Sequence, residues 1–241
     1  MSDWMTPELI ENVRRVLQES LPERIPGQGR TLVEQACGLT SYKAREVIRA
    51  IDSGEAEDVS PTFCVWDIET TGLKGDFGRL LCCSFLTLPD NNLVTYKWTD
   101  YSDSYEDDGK LAAAIRDKIE ESDFSVGYFS KGFDFGFLQA RLADAGERLL
   151  ERHLHIDPIW YFRGWRGLKI GSSSMKNVAD FLGLDEQKMD VPKSVWISAN
   201  AGNKKALETL VDRCESDVRV TAKIMKFALK NRMIKNVQSY P

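Results

Sequence analysis

The chain has 241 residues, 42% hydrophobic and 29% charged, an ordinary globular composition with room for one large domain or a small one beside a medium one. No apolar run approaches the ~18 residues of a membrane span, and the N-terminus MSDWMTPELIENVRR lacks the basic-then-apolar order of a secretory leader, so no membrane partner is expected. A net charge of -5 excludes a general nucleic-acid coat, and five cysteines without C-x-x-C spacing or a Cys/His cluster argue against structural zinc and fit a reducing, cytoplasmic setting.

Residues 1–58 read as a small all-α domain. TLVEQACGLTSYKAREVIRAI resembles a helix-turn-helix, with Gly38 in the turn, Val33, Leu39, Ala44, Val47 and Ile48 inside, and Ser41, Tyr42, Lys43, Arg45 and Arg49 facing outward to DNA. A plain helical hairpin is the competing reading, since Glu34 stands where a small residue is usual. The polar stretch DSGEAEDVSP reads as a linker.

From residue 59 to 241 strands and helices alternate. Strands are expected over TFCVWDIET, 79–88 and 93–98, the last two joined by the hairpin signal PDNN and therefore antiparallel. A helix at 108–121, a strand at 124–129, a helix at 133–145, a strand at 153–157, a helix at 175–182 and a long helix at 204–233 follow. This order predicts an α/β fold, a mixed five-stranded sheet with helices on both faces.

Alternation along the first strand puts Phe63, Val65, Asp67 and Glu69 on one face and Cys64, Trp66 and Ile68 on the other. Two carboxylates thus sit together at the C-terminal end of an apolar strand, where ligand sites of such sheets gather and where like charges call for cations. In the last helix Leu207, Leu210, Cys214, Asp217, Thr221, Ile224 and Ala228 recur at spacings of 3 and 4, so Asp217 lies in the middle of an apolar stripe. A carboxylate there needs a metal or a salt bridge, for which Arg213 is one turn away. Asp134 opens the helix of GYFSKGFDFGFLQARL, which Phe133, Phe137 and Leu138 anchor. His153 and His155 read as packed strand histidines more readily than site residues, and Asp157 is open between a structural and a site role. Two stretches, 162–176 and 218–235, carry basic residues and no acid; solvated faces and nucleic-acid contacts are equally good readings.

Together DIETTG, the FD-xx-FL segment and the final-helix Asp resemble the DEDD (DnaQ-like) 3′–5′ exonuclease superfamily over about residues 61–233. The resemblance implies an RNase H-like sheet and a two-metal hydrolysis that releases nucleoside 5′-monophosphates from 3′ ends. It makes Asp67, Glu69, Asp134 and Asp217 the ligands of two Mg²⁺ or Mn²⁺ ions. It places Thr70, Thr71 and Gly72 against the terminal nucleotide, with Phe133 beside them. Tyr128 and Phe129 stand where members often have His-Asn. Arg213 and Asp212 stand at the positions of the family's Tyr or His, and the R-C-E-S-D run suits the Tyr-type branch with Arg213 in the tyrosine's place. Arginine cannot accept a proton at neutral pH, so Arg213 is expected to clamp phosphate. The implied partner is nucleic acid, single-stranded or 3′-terminal DNA before RNA, with a polymerase or another replication protein alongside. An RNA exonuclease, or a nucleic-acid-binding adaptor of the same fold with weakened catalysis, are the alternatives.

Overall fold

The computed structural model describes residues 4–5, 7–23, 28–53, 61–104, 106–163, 167–186, 188–234 and 237–240. The chain divides into two compact units, residues 1–61 and 62–241. The stretch read as a linker falls mostly on 54–60, outside the described residues, as do Arg166 and Lys235 of the basic runs.

The first unit holds α1 (Pro7–Ser20), α2 (Arg30–Cys37) and α3 (Ser41–Ser53). Gly38 ends α2 at φ 62°, a left-handed conformation that glycine adopts without a Cβ clash. Val33, Ala44, Val47 and Ile48 form a core with Ile10, Val13 and Leu17 of α1. Arg45 and Arg49 are exposed on α3.

The second unit is a mixed sheet in the order β3-β2-β1-β4-β5-β6. Its strands are β1 (Phe63–Thr70), β2 (Leu80–Leu88), β3 (Asn92–Lys97), β4 (Phe124–Val126), β5 (His153–Ile156) and β6 (Gln238–Tyr240). β1 pairs antiparallel with β2 and parallel with β4, β2 and β3 form the antiparallel hairpin, and β5 runs parallel to β4. Among the described residues the sheet therefore has six strands rather than the five expected. β6 is a three-residue strand with no periodic signal, set by antiparallel pairing to β5 and by Tyr240 packing on the core.

The helices are α4 (Gly109–Glu120), α5 (Asp134–Asp144), α6 (Met175–Leu182), α7 (Lys193–Asn200) and α8 (Lys204–Lys230). Cys64, Trp66 and Ile68 of β1 pack with Leu111 and Ile115 of α4 and with Phe135 and Leu138 of α5. Phe135 anchors α5 to the sheet, edge-on to Trp66 at 5.0 Å, to His155 at 4.6 Å and to Tyr240 at 4.8 Å between ring centroids. All seven residues of the α8 stripe are buried. β1 thus has one face against α4 and α5, and the other carries its two acids toward α8. A buried ion pair fixes the turn that follows β1: Arg141 of α5 meets Asp108 at 2.7 Å and donates to Gly75 O at 2.9 Å, while Asp108 accepts the Leu80 N–H at 2.7 Å.

Candidate metal centre and its pocket

Strand alternation and the helix stripe deliver their acids to one place. Carboxylate oxygens of Asp67, Glu69 and Asp217 lie within 4.8 Å of one another. Asp134, first residue of α5, stands outside that group but lines the same cavity of about 750 Å³. Thr70, Thr71, Gly72 and Phe133 line it too, with Tyr128, Phe129, Ser174, Met175, Lys188, Trp196 and Arg213. The first-motif turn is held by the Thr70 hydroxyl donating to Gly72 O at 2.7 Å and the Thr71 N–H to Arg79 O at 2.9 Å. Asp212, the histidine-position alternative, is exposed on α8.

Asp67, Glu69 and Asp134 resist ionisation. Burial, then the charges of Asp217, Asp134 and Glu69, push Asp67 well above the ordinary carboxylate range. Burial raises Glu69 although Arg213 and a Trp196 hydrogen bond oppose it. Burial, with Asp157 and Glu69, pushes Asp134 up to about 7 against backbone hydrogen bonds. Two cations of the chain stand among these groups. Arg213 forms an ion pair with Glu69 and another, at 3.1 Å, with Asp217. Lys188 meets Asp217 Oδ2 at 2.8 Å. Burial opposes the charge on Arg213, but the surrounding Glu69, Asp217 and Asp67 outweigh it and raise its pKa. Trp196 of α7 donates its Nε1–H to Glu69 Oε2 at 2.9 Å, and its ring lies under the Arg213 guanidinium at 5.3 Å. Cys214 donates to Asp67 O at 3.1 Å.

The donor set fits a hard divalent cation. It is all carboxylate oxygen, it concentrates charge that burial disfavours, and Asp217 Oδ1 is buried with no hydrogen-bond partner among the described residues.

Lys188 and Trp196 were not legible as site residues. They come from the stretch between α6 and α8, a mixed run of polar and apolar residues in which no periodicity set Lys188 or Trp196 apart. His153 and His155 do not line the pocket. They form a chain in which His153 Nε2 meets Ser125 Oγ, Ser125 Oγ meets His155 Nδ1 at 2.8 Å, and His155 Nε2 meets Ser130 Oγ at 2.9 Å. Asp157 is structural: its carboxylate accepts the N–H groups of Phe129 at 2.9 Å, Lys131 at 3.3 Å and Ile159 at 3.3 Å.

The RNase_H_2 model, described as RNase_H superfamily, matches residues 64–229, which span every pocket residue named above. No curated protein matches the sequence. Among solved structures, the family B DNA polymerase from the hyperthermophilic archaeon Pyrobaculum calidifontis is similar in fold, with a TM-score of 0.57 and 18% identity. That likeness covers 71% of this chain and 25% of the polymerase, so the chain spans about a quarter of its length.

Proposed function

The chain belongs to the RNase H superfamily, and on that premise we propose that it is a metal-dependent 3′–5′ exonuclease of the DEDD type that releases nucleoside 5′-monophosphates. Single-stranded or 3′-terminal DNA is its first substrate and RNA its second; a replication polymerase is the partner this activity would serve. The observation that carries the reading is the meeting of Asp67, Glu69 and Asp217, from β1 and α8, within 4.8 Å in a cavity that Asp134 also lines.

Asp67, Glu69, Asp134 and Asp217 would hold two Mg²⁺ or Mn²⁺ ions. When bound, such ions lower the pKa of a water and stabilise the leaving 3′-oxygen. The chain's own residues do the rest. Thr70, Thr71 and Gly72 present backbone to the terminal nucleotide, and Phe133 offers a ring to its base. Arg213 and Lys188, freed from the carboxylates, turn to the phosphate and its developing charge. Neither accepts a proton while charged, so both are electrostatic clamps rather than general bases. Trp196 orients Glu69 and backs the guanidinium, keeping the arginine in reach of both.

The Arg213 bridge between Glu69 and Asp217 favours a second reading, an adaptor that binds strands without turnover. A 5′-labelled single strand separates the two. The exonuclease shortens it stepwise with Mg²⁺ or Mn²⁺, stops in EDTA and stops on Asp67→Ala substitution. Binding without shortening would establish the adaptor. Parallel DNA and RNA strands rank the sugars.

A further inference from the structure

Beside the acidic centre, the cavity rim carries a second arrangement of chemistry. Phe129 lines the cavity, yet 39% of its surface is exposed, and its backbone sits at φ 62°. A Cβ disfavours that conformation, and a bulky residue there marks a position held for a purpose or by its surroundings. The surroundings are visible. Asp157 takes the Phe129 N–H, and a Cβ on Gly132 would overlap the Phe129 ring, so only glycine leaves the ring room to lie over that backbone. The same Asp157 caps the 3₁₀ turn Pro158–Tyr161, which carries Trp160, 50% exposed. One buried acid thus ties down both segments that offer these rings. Arg163 sits between them, its guanidinium 5.6 Å from the Phe129 centroid and 5.7 Å from that of Trp160. Two partly exposed rings joined by a cation, continuous with the cavity at Phe129, match the recognition needs of an unpaired, phosphate-linked strand: aromatic surface for bases, charge for backbone.

We propose that Phe129, Arg163 and Trp160 form a stacking ledge for unpaired bases 5′ of the nucleotide held at the acidic centre. The inference rests on the exonuclease reading and assigns to these three residues the grip on the unpaired strand, independent of sequence because every base has a π-face. Paired bases have no free face to give the ledge, so duplex ends must fray to reach it.

The test uses the full chain and its Trp160→Ala, Arg163→Ala and double variants, all at exposed positions. Binding of fluorescein-labelled dT10 and rU10 is followed by anisotropy in EDTA, with a blunt ten-base-pair duplex as control. The double variant is expected to lose about ten- to a hundred-fold in affinity for both single strands. It should lose far less for the duplex. With Mg²⁺, KM for dT10 should rise by more than KM for dTpdT, which is too short to reach the ledge. Trp160→Phe should keep most of the affinity. Unchanged dT10 binding and KM, in a protein that still degrades dT10, would remove the ledge and leave the exonuclease standing. An equal loss on the duplex would also remove it, reducing Arg163 to a charge contact. A wild-type protein that binds dT10 through these residues but degrades nothing would keep the ledge and remove the exonuclease.

Discussion

Arg213 reaches Glu69 and Asp217 from one turn of α8, bridging two of the carboxylates proposed as metal ligands. Its side chain is 14% exposed and those of its two partners 6% and 2%. Removing one member of such a buried set leaves uncompensated charge, at a cost of about 3 kcal/mol. Arg213→Ala should therefore lower the unfolding free energy of the metal-free protein by about that much, and millimolar Mg²⁺ should restore most of the loss by binding the vacated carboxylates. Urea denaturation with and without Mg²⁺ reads both effects; an unchanged midpoint would show that the ion pairs carry no weight. Turnover should fall in the same variant without being abolished, whereas Asp67→Ala and Asp217→Ala abolish it. Asp67, Glu69 and Asp217 were legible in the sequence because each breaks an apolar periodicity, the period of a strand for the first two and of a helix for the third. Asp157 was legible only as an even choice between a structural and a site role, and Lys188 and Trp196 were not legible. They depend on chain segments with no periodic pattern, brought together only by tertiary packing.

Elements of the second unit were largely readable: α4, α5, α6 and α8 each bury one helical face, β1 and β2 are apolar runs buried on both faces, and the PDNN turn marks the hairpin to β3, whose residues are at most half-buried. β4 ends at Val126, earlier than expected, because the chain turns at Gly127 and is held to Ser130 and Asp157. α7 and β6 are short, and pairing or packing rather than local preference places them. The Arg141–Asp108 pair, with side chains 3% and 0% exposed, ties α5 to the turn after β1. Arg141→Ala should cost about 3–5 kcal/mol, measured as a shift in urea midpoint; a shift under about a third of that would show that the turn is held otherwise. Burial holds His155 well below 6.5 and His153 below it too, so the folded sheet keeps both neutral. The unfolded chain then binds more protons below 6.5, and stability from neutral His155 is present above that pH and lost as pH falls through it, by up to about 1.4 kcal/mol per pH unit. Asp67, Glu69 and Asp134 act in the opposite sense, because their raised pKa values make ionisation costly in the folded state and favour it at low pH, where they are protonated. Comparing the wild type with His155→Gln cancels their contribution. The stability gap between the two should narrow from pH 7.5 to 5.5, and a constant gap would mean that His155 does not titrate with unfolding.

At the scale of the whole molecule, residues 62–241 contain the entire family match and the pocket, while residues 1–61 form their own core. Deleting residues 1–58 should leave degradation of single-stranded oligonucleotides at the wild-type rate. Affinity for duplex DNA should fall if Arg45 and Arg49 of α3 contact it; unchanged duplex affinity would assign that unit another role. Among the described residues no helix is long and apolar enough to cross a membrane. Within residues 62–241 a strand tip and a helix stripe bring together carboxylates whose mutual repulsion a bound cation would relieve. Titrating Mn²⁺ into the protein and following the free-ion signal by electron paramagnetic resonance tests this most directly. The wild type should take up Mn²⁺ at micromolar to millimolar concentration, and Asp67→Asn/Asp217→Asn should not. Equal uptake by both, or none by the wild type, would contradict a metal centre built from these carboxylates.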